Sequence, residues 1–253
     1  MKELSITDIK NILNNTSSEE LDFVINRFSD DSRVGVKKLI ASTKRKAEKL
    51  ALELERIDKM HIYENEYKAY EYIAGVDEVG RGPLAGPVVT AAVILPKDIK
   101  ILYVNDSKKL SKEKREELFQ EIMDKAISTS IGIVSSEQID SINILNATYR
   151  AMKEAVESLK VKPQVVLVDA VTIPDITVLQ RGIIKGDEKS ISIAAASIIA
   201  KVTRDQIMEG YDSIYPEYNF SKNKGYGTLE HINAIKRYGP SPIHRATFIK
   251  NFI

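Results

Sequence analysis

Two short apolar runs that each end in carboxylates constrain this chain more than any other feature. Tyr72-Ile73-Ala74-Gly75-Val76 leads into Asp77-Glu78, and Val165-Val166-Leu167-Val168 leads into Asp169. Short runs of this kind suit strands buried on both faces, and the downstream ends of such strands are where open α/β sheets place their ligands. Val88 to Leu95, bounded by Pro87 and Pro96, reads as another strand, and Ser130 to Val134 as a short one. Lys112 to Ile127, Asn143 to Leu159 and Ser190 to Met208 read as helices, the last too rich in Ala and Ile to be anything but packed on the sheet. The pattern predicts an α/β domain with a mixed sheet flanked by helices.

Upstream of Tyr72, helical spacing of Leu, Ile and Val runs from about Ile6 to Tyr70, with Gly35 its single glycine. Ser17 and Ser18 followed by Glu20 mark a helix start, and Asp30 to Ser32 a break. Residues 1–70 are therefore expected to form an all-helical appendage, and residues 71–253 the α/β domain with a C-terminal helical segment. No stretch reaches the roughly 18 apolar residues of a membrane span and no apolar signal core follows the N-terminus, which predicts a cytoplasmic protein without a membrane. With Cys 0, any metal must sit on oxygen or imidazole. A net charge of +1 carries no global signature of a polyanion ligand. Beyond Tyr218, however, Lys222, Lys224, Lys236, Arg237, Arg245 and Lys250 face only Glu230, with His231 and His244 among them. That tail reads equally as a phosphate-facing surface or a solvated basic end. Lys37, Lys38, Lys44, Arg45, Lys46 and Lys49, interspersed with Glu48, Glu53 and Glu55, read rather as a solvated helix.

Any one strand-end acid is explained well enough as a cap or a loop residue. Several together are not, because carboxylates repel unless a cation sits among them. Hard oxygen ligands suit Mg²⁺ or Mn²⁺, and two such ions activate a water and stabilise the leaving oxygen in phosphodiester hydrolysis without a protein nucleophile. Asp77, Glu78, Asp169 and Asp187, which follows Gly186 at the mouth of the Ala-rich helix, are the candidate ligands. Adjacent side chains on a strand point opposite ways, so Asp77 and Glu78 share an ion only if the chain bends after Val76.

Gly80-Arg81-Gly82-Pro83-Leu84-Ala85-Gly86-Pro87 lacks the Gly-Lys-Ser/Thr ending of a nucleotide loop and does not run into a helix. Its glycines fit a close approach to a ligand held by Arg81, or simply a tight turn. As a whole, Gly75-Val76-Asp77-Glu78-Val79-Gly80-Arg81-Gly82-Pro83-Leu84-Ala85-Gly86-Pro87-Val88-Val89 closely resembles the opening motif of ribonuclease HII. Asp106-Ser107-Lys108-Lys109-Leu110, Asn143 to Thr148, Gly186-Asp187, Ala194 to Asp205, Lys224-Gly225-Tyr226-Gly227-Thr228, His231, Gly239-Pro240 and His244-Arg245 agree in order. The resemblance covers about Tyr72 to Phe248.

That resemblance implies a ribonuclease H-like fold and an endoribonuclease acting on RNA–DNA hybrids and on ribonucleotide-containing duplex DNA. It implies cleavage on the 5′ side of a ribonucleotide, leaving 3′-hydroxyl and 5′-phosphate ends, by two Mn²⁺ or Mg²⁺ ions held by Asp77, Glu78, Asp169 and Asp187. Gly80, Arg81 and Gly82 then sense the ribose 2′-hydroxyl, Tyr226 stacks on the next sugar, and Ser107 and Lys108 contact the substrate backbone. The C-terminal helices become a substrate-binding segment, and the protein is expected to be a monomer. Ala170 stands where many members have glycine, a small-for-small change. The added N-terminal segment is shared with ribonuclease HIII, but Arg81 and Asp187 stand where that sister has lysine and glutamate. His231 is a candidate for supporting the leaving group or a phosphate, though a histidine on a helix face is more often structural. Two other classes remain for comparison: a sugar or acetate kinase-like enzyme of the same sheet topology, and a non-catalytic duplex binder.

Overall fold

The computed structural model describes residues 4–17 and 19–251. By internal packing it divides into two compact units, one ending at Arg56 and the other beginning at Ile57. In the first, α1 (Ile6–Asn15) starts at Ser5, whose hydroxyl accepts from the Asp8 N–H while the Asp8 carboxylate accepts from the Ser5 N–H. It is followed by α2 (Leu21–Arg27) and α3 (Val34–Lys59). Ile9, Leu13, Ile25, Phe28 and Val36 form a small core of their own. The expected breaks fall near Ser17 and Asp30 to Ser32; Ser18 lies outside the described residues.

The second unit takes the end of α3, with Ile57 and Met60 buried in its core, and α4 (Ile62–Glu66). It then forms β1 (Ile73–Val79), β2 (Val88–Ile94), α5 (Lys112–Lys125), β3 (Ser128–Val134), α6 (Ser136–Ile142), α7 (Ile144–Glu157), β4 (Val165–Asp169), β5 (Leu179–Ile183) and α8 (Ile191–Ile214). Short helices α9 (Phe220–Asn223), α10 (Leu229–Tyr238) and α11 (Ala246–Ile249) close it. The sheet order is β3-β2-β1-β4-β5, antiparallel from β3 to β1 and parallel from β1 to β5. This is the mixed, helix-flanked α/β sheet expected from the sequence.

The two apolar runs lie where their composition requires, since β1 is central and β4 has a neighbour on each side. One sheet face packs against α8 and α5 through Val79, Val89, Ala91, Val93, Leu118, Ile122 and the Ala-rich stretch of α8. The other packs on α7 through Ala74, Val76, Ala92, Val166 and Val168. Contact with α8 is unusually close at Gly75, where a Cβ would lie 2.1 Å from the Ser192 carbonyl carbon. Only glycine permits that approach. Two elements escape the sequence reading. Strand β5 is an edge with a mixed, half-exposed pattern, and α6 is a seven-residue helix capped by Ser135 whose only apolar residues, Ile139 and Ile142, are too few to show a period.

Candidate active site

The site is made by strands that stop pairing at different points. β1 stays paired with β2 through Val79↔Val89, whereas its pairing with β4 ends at Val76↔Val168. Beyond that level the sheet parts, and the next residues in register are Asp77 and Asp169. Gly75 abuts α8 and Leu167 packs with Ile193 of α8, so two-residue alternation puts Asp77 and Asp169 on the α8 face and Glu78 on the other. The bend on which a shared ion for Asp77 and Glu78 was conditional is absent: β1 remains regular through both acids, paired with β2 as far as Val79↔Val89. Beyond β5 the chain turns through Lys185, at φ +57°, and the Gly186 N–H donates to Asp169 Oδ1 at 2.7 Å, which brings Asp187 beside the strand ends.

Electrostatics ties the four together. Burial raises the pKa of Asp77 well above the usual range, and the charges of Glu78 and Asp169 add to this against a hydrogen bond from Ser197. Burial likewise raises Glu78, in spite of Arg81, whose Nη1 lies 3.3 Å from Glu78 Oε1. Asp187 is pushed up to about 6 by burial, then by Asp106 and Asp169, with Lys108 opposing. Partial burial works against the Lys108 cation, but Asp106, Asp77 and Asp187 outweigh it and raise its pKa. The acids therefore do have basic neighbours, Arg81 and Lys108, which the sequence reading did not pair with them. Among the described residues no three His, Asp or Glu side chains converge closely enough to hold an ion as they stand. Like charges spread apart in this way, and drawing them onto one point takes a cation among them. The donor set, all carboxylate and mostly desolvated, suits a hard divalent ion.

Around the acids, Arg81 is largely exposed, and a Cβ on Gly82 would meet nothing within 4 Å. Tyr226 is 42% exposed, with the Arg204 guanidinium 5.9 Å from its ring centroid. Ser107 lies beneath the site instead of at its surface: it is buried, and its hydroxyl shares a 3.0 Å hydrogen bond with Ser197. Much of the basic tail is likewise not a surface. Arg245, His231 and His244 are buried, Lys224 pairs with Glu209, and Lys222 pairs with Glu230. His231 is a structural residue. Its Nδ1 is 2.8 Å from the Tyr226 carbonyl and its Nε2 2.9 Å from His244 Nε2, and burial lowers the pKa of both rings, His244 to about 4. The sequence reading passed over Asp106, Ser197 and Arg204, whose positions in the quoted motifs were their only signal, and took Arg245 only as one cation of the basic tail.

Two family models match the chain, one described as Ribonuclease HII over residues 74–251 and one as Ribonuclease HII N-terminal domain over residues 5–68. The chain belongs to the ribonuclease HII family. It is 58% identical over 228 residues to the ribonuclease HII of Lachnoclostridium phytofermentans, covering 90% of each chain. To that of Clostridioides difficile it is 52% identical over 255 residues, covering 100% of each. The crystal structure of ribonuclease H2 from Pyrococcus horikoshii OT3 superposes with a TM-score of 0.61 at 32% identity, covering 72% of this chain and 96% of that one. As a ribonuclease HII, this protein is an endoribonuclease of the ribonuclease H class, acting on RNA–DNA substrates with divalent-metal dependence. The kinase-like and non-catalytic alternatives fall away. No helix among the described residues is long and apolar enough to cross a membrane.

Proposed function

We propose that this ribonuclease HII cuts on the 5′ side of ribonucleotides in RNA–DNA hybrids and of single ribonucleotides embedded in duplex DNA, leaving 3′-hydroxyl and 5′-phosphate ends. The observation that carries the reading is the parting of β1 from β4 beyond Val76↔Val168, which sets Asp77 and Asp169 side by side with Glu78 and Asp187 within electrostatic reach. These four acids would hold Mg²⁺ or Mn²⁺, whose Lewis acidity as a pair activates water and stabilises the leaving oxygen. Gly80, Arg81 and Gly82 lie against the ribose, where the 2′-hydroxyl is the group that separates RNA from DNA. Tyr226 stacks on the adjoining sugar and Lys108 neutralises a backbone phosphate. Ser107, with its side chain buried, contributes only through its main chain. Residues 1–70 form a helical appendage to a catalytic domain of residues 71–253, and the protein acts as a cytoplasmic monomer.

The test compares duplex DNA with one ribonucleotide, a continuous hybrid and all-DNA duplex, each in Mg²⁺, Mn²⁺ and chelator. Cleavage of the first two in either metal, with loss in Asp77→Asn, is the expected result. Cleavage that persists in chelator removes the metal reading, and an intact single-ribonucleotide duplex removes the junction reading.

A further inference from the structure

Beneath the glycine loop lie two arginines, Arg204 of α8 and Arg245 just before α11, both fully buried. Neither forms an ion pair among the described residues. Burying such a charge is costly unless its donors are satisfied, and here they go to main-chain carbonyls. Arg245 donates from Nη2 to Gly80 at 2.6 Å, from Nη1 to Arg81 at 2.9 Å, and from Nε and Nη2 to Gly86 at 3.0 and 2.8 Å. Arg204 donates to the carbonyls of Pro87 at 3.0 Å, Ala85 at 3.1 Å and Lys224 at 2.9 Å. From outside, the Asp140 carboxylate accepts from the Ala246 N–H at 2.6 Å and the Thr247 N–H at 2.9 Å, and its charge favours the Arg245 cation.

A trans peptide points its C=O and N–H in opposite directions. With the Gly80 and Arg81 carbonyls drawn onto Arg245, the amides that follow, those of Arg81 and Gly82, face away from it. Among the described residues neither donates to a protein acceptor. Two adjacent free donors thus stand on the open side of the loop, beside the uncrowded Gly82. We propose that Arg245, with Arg204 beside it, is a positioning residue for ribose recognition: it orients the Gly80 and Arg81 peptide planes so that the next two N–H groups meet the ribonucleotide. The inference rests on the proposed reading of Gly80 to Gly82 as the ribose sensor. A lysine at position 245 keeps the charge, but its single nitrogen cannot span three separate carbonyls as the planar guanidinium does.

The experiment uses the full chain as wild type, Arg245→Lys and Asp140→Asn. It measures kcat/KM on a single-ribonucleotide duplex, affinity in chelator for that duplex and for all-DNA duplex, and hydrogen exchange of the Leu84 and Gly86 amides, which donate to Gly225 and Ile243 at 2.8 Å each. In Arg245→Lys the affinity for all-DNA duplex holds, the ribonucleotide preference falls about tenfold and kcat/KM falls about a hundredfold. Exchange at Leu84 and Gly86 quickens while β1 is unchanged. An unaltered preference, equal losses on both duplexes included, overturns the inference whatever the loop exchange shows. Should Arg245→Lys fail to fold, Asp140→Asn carries the same expectation at about threefold, and an unaltered preference there overturns it. A wild type with no ribonucleotide preference overturns the proposed function, whereas a wild-type preference that survives in Arg245→Lys overturns only the positioning role.

Discussion

Alanine at Gly80 and alanine at Gly82, two residues apart in one loop, should have opposite consequences. Gly80 has φ +93°, and a Cβ there would lie 2.3 Å from Arg204 Nε and 2.7 Å from the Pro87 carbonyl oxygen. The left-handed backbone costs a side chain roughly 1–2 kcal/mol and the crowding against a fixed guanidinium about 1–3 kcal/mol, or roughly 2–5 kcal/mol in all. Measured against a total stability of about 5–15 kcal/mol, that is a large fraction. Gly82 differs on both counts, since its φ lies outside the left-handed region and its Cβ position is open. Gly82→Ala should keep or slightly raise stability, by up to about 1 kcal/mol through the unfolded chain. On the proposed reading of Gly80 to Gly82 as the ribose sensor, the demand for glycine at this open position comes from the ligand, so Gly82→Ala should lower cleavage of a single-ribonucleotide duplex by about tenfold or more. Urea melts of both variants, with cleavage rates on the same preparations, check the pair. Full activity in Gly82→Ala, or a loss of stability like that of Gly80→Ala, would refute the reasoning.

Asp77→Asn should abolish cleavage while leaving the metal-free protein as stable as wild type or more so, because it removes a buried charge that burial and Glu78 disfavour; a collapsed melting temperature in chelator contradicts this. Asp187 titrates near 6 in the folded protein against an ordinary value of 3.8, so the native state holds this proton more tightly than the unfolded chain. Its contribution to metal-free stability is favourable at low pH and declines as pH rises through that window, while affinity for a divalent ion rises over the same range. Melting curves of wild type minus Asp187→Asn in chelator should show this slope, and a flat difference excludes it. Ala170 has φ +56° and so carries the strain that glycine avoids. Ala170→Gly should gain up to about 1 kcal/mol, the relief being offset by the freer unfolded chain, and a loss in urea melts would contradict it.

The same residue shows where sequence reading stops. Ala for Gly at position 170 looks neutral as a change of size, because the reason for glycine is a backbone angle that no side-chain comparison displays. Helices with an apolar stripe, such as α5 and α7, were legible from their periods, and a strand apolar but for Thr90, β2, from its run. Strand β5 was not, because an edge strand has no need of a uniform apolar run, and its Leu179 is 47% exposed. Of the four candidate acids, Asp77, Glu78 and Asp169 were marked by the ends of apolar runs, and Asp187, which lies in a turn, by Gly186 before it and by the family motif. Asp106 was not singled out, because its role lies in its nearness to Asp187 and Lys108.

By itself the sequence determined which segments had to be buried in the sheet, which oxygen ligands were available, and, through the long motif around Asp77, which family's chemistry to expect. Tertiary structure alone decided which charges are exposed. Arg245 reads in the chain as one more cation of a basic tail, yet it is fully buried and spends its donors on the carbonyls of Gly80, Arg81 and Gly86. Local sequence encodes periodicity and propensity, whereas the partner of a guanidinium more than 150 positions away is set only when the sheet and α8 bring the two segments together.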